Sequence, residues 1–222
     1  MAGTGAAHYA GRMTAPINRF AARGPQDLVD LARQHPLAWI CSHGAVGQLS
    51  TPLPLVPRFA ADGRIHAVEG HFARSNPQVA ALRADGDAWV LWMGVQGYVS
   101  LSWMADRTQA PTWNYATARL RVAVRLVDAP DAIVAHLREL TERQEAGRPD
   151  AWSIAEMGPR LALLAQRVIA FRADVVECHE RYKLGQDERD DVYGDILAGL
   201  DAQPDPALPA WMRRFNPGRG ES

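Results

Sequence analysis

The stretch TARLRVAVRLVD, residues 117–128, decides the fold class because its apolar residues recur at every second position. One face carries four aliphatic side chains, Leu120, Val122, Val124 and Leu126. The other face carries Arg119, Arg121, Ala123 and Arg125. Period two is the pattern of a β-strand with one face in a core and one face in water. The stretch therefore predicts a strand that covers one side of a hydrophobic core.

Short apolar runs on either side predict further strands. The runs LAWICSHG (37–44), STPLPLVPRF (50–59) and RIHAVEGHF (64–72) are separated by turn residues, with ADGR as a hairpin turn. Two strands are predicted in DAWVLWMGVQGYVSLSW (87–103), around Gly94 and Gly97, and two more in RVIAFRADVVECHERYKL (167–184).

Helices are predicted between and after these strands, in segments that lie at the edges of the strand-rich region. The segments are GPQDLVDLARQHP (24–36), NPQVAALRADG (76–86), residues 130–146, residues 158–166 and DERDDVYGDILAGL (187–200). Strands that do not alternate regularly with helices favour an α+β fold built on an antiparallel barrel over a Rossmann arrangement.

Composition limits the classes of function. The 222 residues carry a net charge of −1 and 47% hydrophobic residues, as expected for a folded globular chain. We do not expect nucleic-acid binding, because no run of basic residues forms a patch or tail. We expect no membrane span and a cytoplasmic location, because no apolar stretch approaches the roughly 20 residues that a bilayer requires. Cys41 and Cys178 match no metal spacing; we expect buried free thiols, with a disulfide left open.

The chain divides into three predicted parts. Residues 1–16 are expected to be a flexible N-terminus, residues 17–200 a single domain, and residues 201–222 a proline-rich tail that packs loosely or on a partner. Motifs of a phosphate loop, a nucleophile elbow or a zinc protease are absent from the sequence. Hydrolase and zinc chemistry are therefore not expected.

Five motifs resemble the PaiB family in order and spacing: HPLAWICSHG, EGHFARSNPQ, GYVSLSW, QAPTWNYATARL and YKLGQD. That family is described as FMN-binding negative transcriptional regulators, and the resemblance covers residues 17–200. It implies a split β-barrel of the FMN-binding type with peripheral helices, a homodimer, and a cofactor near the subunit interface. The family scaffold also includes piperazate synthases, heme-dependent enzymes that close an N–N bond in N5-hydroxyornithine.

The chain departs from the family pattern at three places. It reads Thr51-Pro52-Leu53-Pro54 in place of SHLP, residues 94–101 replace GPHAYISP, and Arg119 replaces a usual histidine. Three family histidines are absent, whereas His71 and Lys183 remain.

Lys183 is the one lysine among 24 basic residues. Arginine keeps its charge and binds phosphate with a planar fork, whereas lysine can lose its proton when buried and then act as a base or ligand. The alternative is a surface residue without a role. The resemblance favours a functional Lys183, either catalytic or in contact with the cofactor.

The motif EGHFARSNPQ supplies three further candidates. The resemblance implies that His71 is an axial ligand of heme iron, with Lys183 on the other side of the metal across a dimer interface. The alternative is a hydrogen-bonded structural histidine. Arg74 and Asn76 are predicted to bind a heme propionate or an FMN phosphate, because a guanidinium forms paired hydrogen bonds with either group.

The motif PTWNY places large rings at alternate positions of a strand. Trp113 and Tyr115 can pack on a planar cofactor or simply in a core, and Asn114 points to the other face but is also a candidate for cofactor binding. Tyr98 and Ser100 are predicted to share one strand face and to line the pocket as catalytic residues.

These observations predict a heme-dependent enzyme of specialised metabolism that contains heme b. Its reaction on a small-molecule substrate would be N–N bond formation of the piperazate-synthase type. Two alternatives are an FMN-binding redox protein and a transcriptional regulator on the same fold.

Overall fold

The computed structural model describes residues 18–45 and 47–220. The predicted flexible segment 1–16 lies outside these residues. The described residues contain seven strands: β1 (Leu37–Gly44), β2 (Gly47–Pro54), β3 (Val56–Phe59), β4 (Ile65–Ala73), β5 (Asp87–Val99), β6 (Thr112–Val127) and β7 (Val168–Lys183). Six α-helices accompany them: α1 (Pro25–Gln34), α2 (Pro77–Ala84), α3 (Pro130–Glu145), α4 (Arg160–Ala165), α5 (Asp190–Asp201) and α6 (Ala207–Phe215).

The strands form one antiparallel sheet in the order β2-β1-β5-β6-β7-β4-β3. The fold is an α+β split barrel with helices around it, as predicted. Strand β6 lies at the centre of the sheet and pairs with β5 and β7 along most of its length. Its predicted core face is correct: Leu120 and Val122 are fully buried, and Arg119 is exposed.

Two predicted strand pairs are each a single long strand, so those predictions were wrong. The residues around Gly94 and Gly97 continue β5, and a register shift between Met93 and Gln96 absorbs the irregularity. The segment 168–183 continues as β7 because a second shift lies opposite Arg121 and Val122. A β-bulge inserts a residue without ending the strand, which allows both strands to curve around the barrel.

Helices α1 to α5 lie where the sequence predicts them, and α1 buries Leu28, Leu31 and Ala32. Gly70 lets β4 lie close to the ring of Phe171. A Cβ at this position would lie only 2.7 Å from Cζ of Phe171. Cys41 and Cys178 are both free thiols; Cys41 is buried as predicted, whereas Cys178 is exposed.

The proline-rich tail is not loosely packed, contrary to our prediction. Helix α6 within it buries Leu208, Trp211, Met212 and Phe215 in the main core. The rings of Trp211 and Phe215 stack on Tyr182 of β7, with centroid separations of 6.0 and 4.8 Å. The Arg214 guanidinium forms ion pairs with Asp27 and Asp30 of α1. Tertiary contacts therefore hold α6, not its local sequence.

We expect Trp211→Ala to lower the free energy of unfolding by about 3–5 kcal/mol, because it removes a large ring that is only 4% exposed. Urea denaturation measures the change. Trp152→Ala is the matched control, since Trp152 is 41% exposed and its loss should have little effect. Equal losses for the two variants would show that α6 does not belong to the cooperative core.

Candidate functional site

The outer face of the sheet at β1 and β5 exposes large apolar side chains. Leu37 and Trp39 of β1 are 58% and 50% exposed, and Leu91 and Met93 of β5 are 39% and 59% exposed. Trp39 and Leu91 are cross-strand partners, so these side chains form a continuous patch. Contiguous apolar surface of this kind marks a site of binding to a ligand or another protein.

The apolar patch forms one side of a groove with a volume of about 580 Å³, which we call the outer-face groove. Thr117 and Arg119 of β6 and His179 and Arg181 of β7 form its other side. The register explains the arrangement, because Leu91 pairs with Arg119, and Arg119 pairs with His179. The groove therefore combines an apolar floor with two guanidinium groups on neighbouring strands.

Both guanidinium groups are available for an anion. Arg119 lies over the ring of Trp89, with Cζ 5.5 Å from the ring centroid, and Arg181 lies over Phe20 at 4.6 Å. Arg181 also donates a hydrogen bond from Nε to the hydroxyl of Tyr115 at 3.1 Å. Within residues 18–45 and 47–220, neither guanidinium has a carboxylate within 4.0 Å.

Lys183 and three of the predicted aromatic residues lie beside the groove, in the next rows of the sheet. Lys183 pairs with Tyr115, and Tyr98 pairs with Trp113. The rings of Tyr98 and Trp113 are 6.0 Å apart and about half exposed. Lys183 Nζ donates hydrogen bonds to Thr112 Oγ1 and, at 3.3 Å, to the carbonyl oxygen of Trp113. The structure thus brings together Tyr98, Trp113, Tyr115 and Lys183.

Asn114 and Ser100 are oriented differently from these four residues. Asn114 is 1% exposed, and its Nδ2 lies 3.5 Å from Sδ of Met212 under α6. It faces the core, away from Trp113 and Tyr115. Ser100 follows the end of β5, and its Oγ accepts a hydrogen bond from the Ser102 backbone N–H, which starts a 3₁₀ turn. Neither side chain faces the outer-face groove.

His71 lies elsewhere, between β4 and α3, in contact with a second histidine. Its Nδ1 is 3.2 Å from Nε2 of His136. Burial lowers the pKa of His71, and burial together with the neighbouring His71 lowers the pKa of His136 to about 4. Both imidazoles are therefore neutral at pH 7, and one ring donates a hydrogen bond to the other.

Arg74 and Asn76, which follow His71, already have partners within the chain. Arg74 forms an ion pair with Asp128, and its Nε donates a hydrogen bond to the carbonyl oxygen of Gln166. Asn76 caps α2, because its Oδ1 accepts a hydrogen bond from the backbone N–H of Gln78 at 2.9 Å. These contacts give both residues a structural role at the start of α2.

The predicted site residues thus form two clusters at opposite ends of β7. His71 pairs with Ala170 near the start of this strand, whereas Lys183 is its last residue. The strand path between Ala170 and Lys183 is roughly 40 Å. One protomer therefore does not place His71 and Lys183 on a common metal ion. Moreover, no cluster of three or more potential metal ligands occurs in the described part of the chain.

Several groove residues were not predicted from the sequence, namely Trp39, Leu91, Met93, Arg181 and His179. The period-two pattern indicated the outward face of β1, because Trp39 has the buried neighbours Ala38 and Ile40 on both sides. The cross-strand register, which makes the groove residues neighbours, could not be predicted from the sequence alone.

Comparison with known proteins identifies relatives of this chain. The model of the family described as "Putative FMN-binding domain" matches residues 16–177. The protease synthase and sporulation protein PAI 2 of Bacillus subtilis is 26% identical over 159 residues, which cover 71% of this chain and 75% of that protein.

Two solved structures show the same fold. One is an FAD and heme binding protein from Mycobacterium smegmatis, with a TM-score of 0.53, 22% identity and coverage of 80% of this chain and 79% of the other. The second is the flavocytochrome Anf3 from Azotobacter vinelandii, with a TM-score of 0.54, 13% identity and coverage of 74% of this chain and 69% of the other.

Among the described residues, none of the helices has the length and apolar character needed to cross a membrane.

The neutral histidine pair predicts how stability depends on pH. The pKa of His136 falls from 6.5 in the unfolded chain to about 4 in the fold. The contribution of neutral His136 to the free energy of unfolding is therefore complete above pH 6.5 and is lost as the pH falls toward 4. Between pH 7 and 4.5, we expect the free energy of unfolding of wild type to fall by about 2–3 kcal/mol more than that of His136→Leu. Urea denaturation at both pH values measures the difference.

The matched control for this prediction is His43→Gln, because His43 is exposed on β1 and its loss should leave the wild-type pH dependence intact. A His136→Leu variant with the same pH dependence as wild type would contradict a neutral buried pair.

Proposed function

Because the chain belongs to this FMN-binding domain family, we propose that it binds FMN in the outer-face groove and acts as a flavin-dependent redox protein. The observation that carries the proposal is an exposed apolar floor, formed by Trp39, Leu91 and Met93, beside two guanidinium groups with no carboxylate partner among the described residues. FMN has the same two properties, a flat and largely apolar ring system and a phosphate with two negative charges.

The chemistry of the groove fits the two parts of FMN. Flat rings gain from packing against aromatic and apolar side chains, and the phosphate gains charge-assisted hydrogen bonds from guanidinium groups. Arg119 and Arg181 lie on adjacent strands, one row apart, which is close enough for both to reach one anion. Arg74 is a weaker candidate for this role, because Asp128 already neutralises it.

Bound FMN would supply hydride and single-electron transfer, and the protein would supply position and electrostatics. Trp39, Leu91 and Met93 would keep water from one side of the ring system. Lys183 adds a third positive charge close to Arg181, and its contact with Thr112 Oγ1 fixes its direction. Tyr98 and Trp113 offer further flat surface next to it.

A second copy of the chain is the expected partner. The patch of Leu37, Trp39, Leu91 and Met93 is too apolar to remain in water without cost. A homodimer formed through this face would cover the patch and enclose the flavin. It would also allow the His71 cluster of one protomer to approach the Lys183 cluster of the other, as the family resemblance implies.

The heme-dependent N–N bond-forming reaction is the second candidate. It depends on the same dimer, because His71 and Lys183 can meet at one iron only across two protomers. Its supporting observation is that His71 is neutral and hydrogen-bonded through Nδ1, the state in which a ring can ligate iron through its other nitrogen. The flavin proposal is preferred because His71 does not line the groove.

The absorption spectrum of the purified protein tests the cofactor. We expect the two absorption bands of an oxidised flavin. We also expect FMN in the supernatant after the protein is denatured and removed. Lys183→Ala and Arg181→Ala should each weaken FMN binding by roughly 10- to 150-fold, as expected for loss of a hydrogen bond to a charged group. Lys183→Arg should bind almost normally, because a guanidinium serves a phosphate as well as an ammonium does.

Arg125→Ala is the matched control for this test, since Arg125 lies on β6 beyond the groove and pairs with Asp174. A Soret band in place of the flavin bands would favour the heme candidate. A colourless protein that takes up neither cofactor would leave the regulator alternative. Normal FMN binding by Lys183→Ala and Arg181→Ala together would place the flavin elsewhere.

Light scattering tests the homodimer. We expect the wild-type protein to have twice the chain mass of 24.4 kDa. Leu37→Asp should shift it to a monomer, because it places a charge within the face that the dimer would bury. Leu163→Asp on α4 is the control, since Leu163 is 62% exposed on a different surface. A wild-type monomer that binds FMN fully would disprove the proposal that two protomers enclose the flavin.

A further inference from the structure

A second cavity lies on the inner side of β7, where this strand separates from β4. The two strands pair only as far as Ala67 and Asp174, and β7 then continues along β6 alone. The gap between them is a cavity of about 310 Å³, which we call the split cavity. Leu28 and Ile65 form part of its apolar lining, and Arg23, Arg64, Cys178 and Glu180 form its polar lining.

Glu180 is a half-buried carboxyl group at the wall of the split cavity. Its Oε2 accepts a hydrogen bond from the Tyr182 hydroxyl at 2.6 Å, and its Oε1 lies 3.5 Å from Cys178 Sγ. Within residues 18–45 and 47–220, no arginine, lysine or histidine nitrogen lies within 4.0 Å of it. Burial, and the negative charge of Asp27, raise the pKa of Glu180. The hydrogen bonds from Tyr182 and Cys178 favour a charge at this position, but no cation among the described residues offsets its burial.

Other carboxylates with little exposure in this protein do have such compensation. Asp27 forms an ion pair with Arg214, and Glu69 forms ion pairs with Arg58 and Arg172. Glu180 forms no ion pair of this kind with the described residues, although two arginines line the same cavity. A cationic group from outside the chain would complete its environment.

The two arginines of the split cavity have N–H donors without a partner among the described residues. Arg64 is 75% exposed, and its contact with Asp62 is long, at 3.5 Å. Arg23 donates one hydrogen bond to the carbonyl oxygen of Arg214 and keeps other N–H groups free. The cavity thus offers a site for a cation at Glu180 and a site for an anion at the arginines, with apolar surface between them.

We propose that the split cavity binds a free amino acid, with its ammonium group on Glu180, its carboxylate on Arg23 or Arg64, and its side chain against Leu28 and Ile65. The volume is at the lower end of the range for ligand pockets, which suits a molecule of this size. Glu180 belongs to the lining of both the split cavity and the outer-face groove, whereas Arg23, Arg64, Leu28 and Ile65 line the split cavity and not the groove. The amino-acid proposal rests on this set of residues and does not depend on the flavin proposal.

Ligand-observed NMR with each of the twenty standard L-amino acids, tested singly on the full-length protein, identifies the tightest binder. Calorimetric titration of that amino acid then measures affinity. We expect the analogues that lack the amine or the carboxylate to bind at least tenfold more weakly, and Glu180→Gln to lose at least tenfold in affinity for the amino acid. Cys178→Phe should abolish binding by filling the cavity.

The matched control is Glu177→Gln, three residues earlier on β7, where the carboxylate is outside the cavity and pairs with Arg121. It should bind the amino acid as wild type does. The proposal fails if none of the twenty amino acids binds saturably, if Cys178→Phe folds and binds normally, or if the analogue without an amine binds as tightly as the amino acid.

Discussion

The pairing of β6 with β7 is the constraint on which the rest of the structure depends. It extends from Tyr115 opposite Lys183 to Val127 opposite Ala170, with one register shift. Since side chains alternate along a strand, this register decides at once that Leu120 faces the core and that Arg119 faces outward. A slip by one residue would bury the arginines of β6, which the core could not compensate.

The same pairing separates the chemistry of the chain into two regions. At the start of β7, the motif around His71 serves the fold: Gly70 lets β4 approach Phe171, Asn76 caps α2, and His71 contacts His136. At the end of β7, Lys183 lies beside exposed rings and free arginines. In one protomer, the exposed apolar patch lies with the second region, and a dimer would be needed to combine the two.

Ion pairing separates the arginines with a structural role from those available for a ligand. Arg58, Arg172 and Arg214 hold elements together through carboxylates of other elements. Arg119 and Arg181 instead lie over aromatic rings, at the surface of the groove. Cation–π contact orients a guanidinium without neutralising it, so these two side chains keep their charge for an anion. The composition alone, with its excess of arginine, does not distinguish the two groups.

The sequence by itself determined the α+β class, the antiparallel strands, the faces of β6, and the opposite directions of Asn114 and Trp113. The directions of side chains follow from the local period of two, whereas the fold class follows from the order of strands and helices along the chain. Only the tertiary structure decided that β5 continues through Gly94, because its pairing with β6 resumes at Gln96 after the register shift. It also decided that α6 packs on Tyr182, and that His71 meets His136, 65 residues away. Such contacts depend on residues far apart in the chain, and no local pattern encodes them.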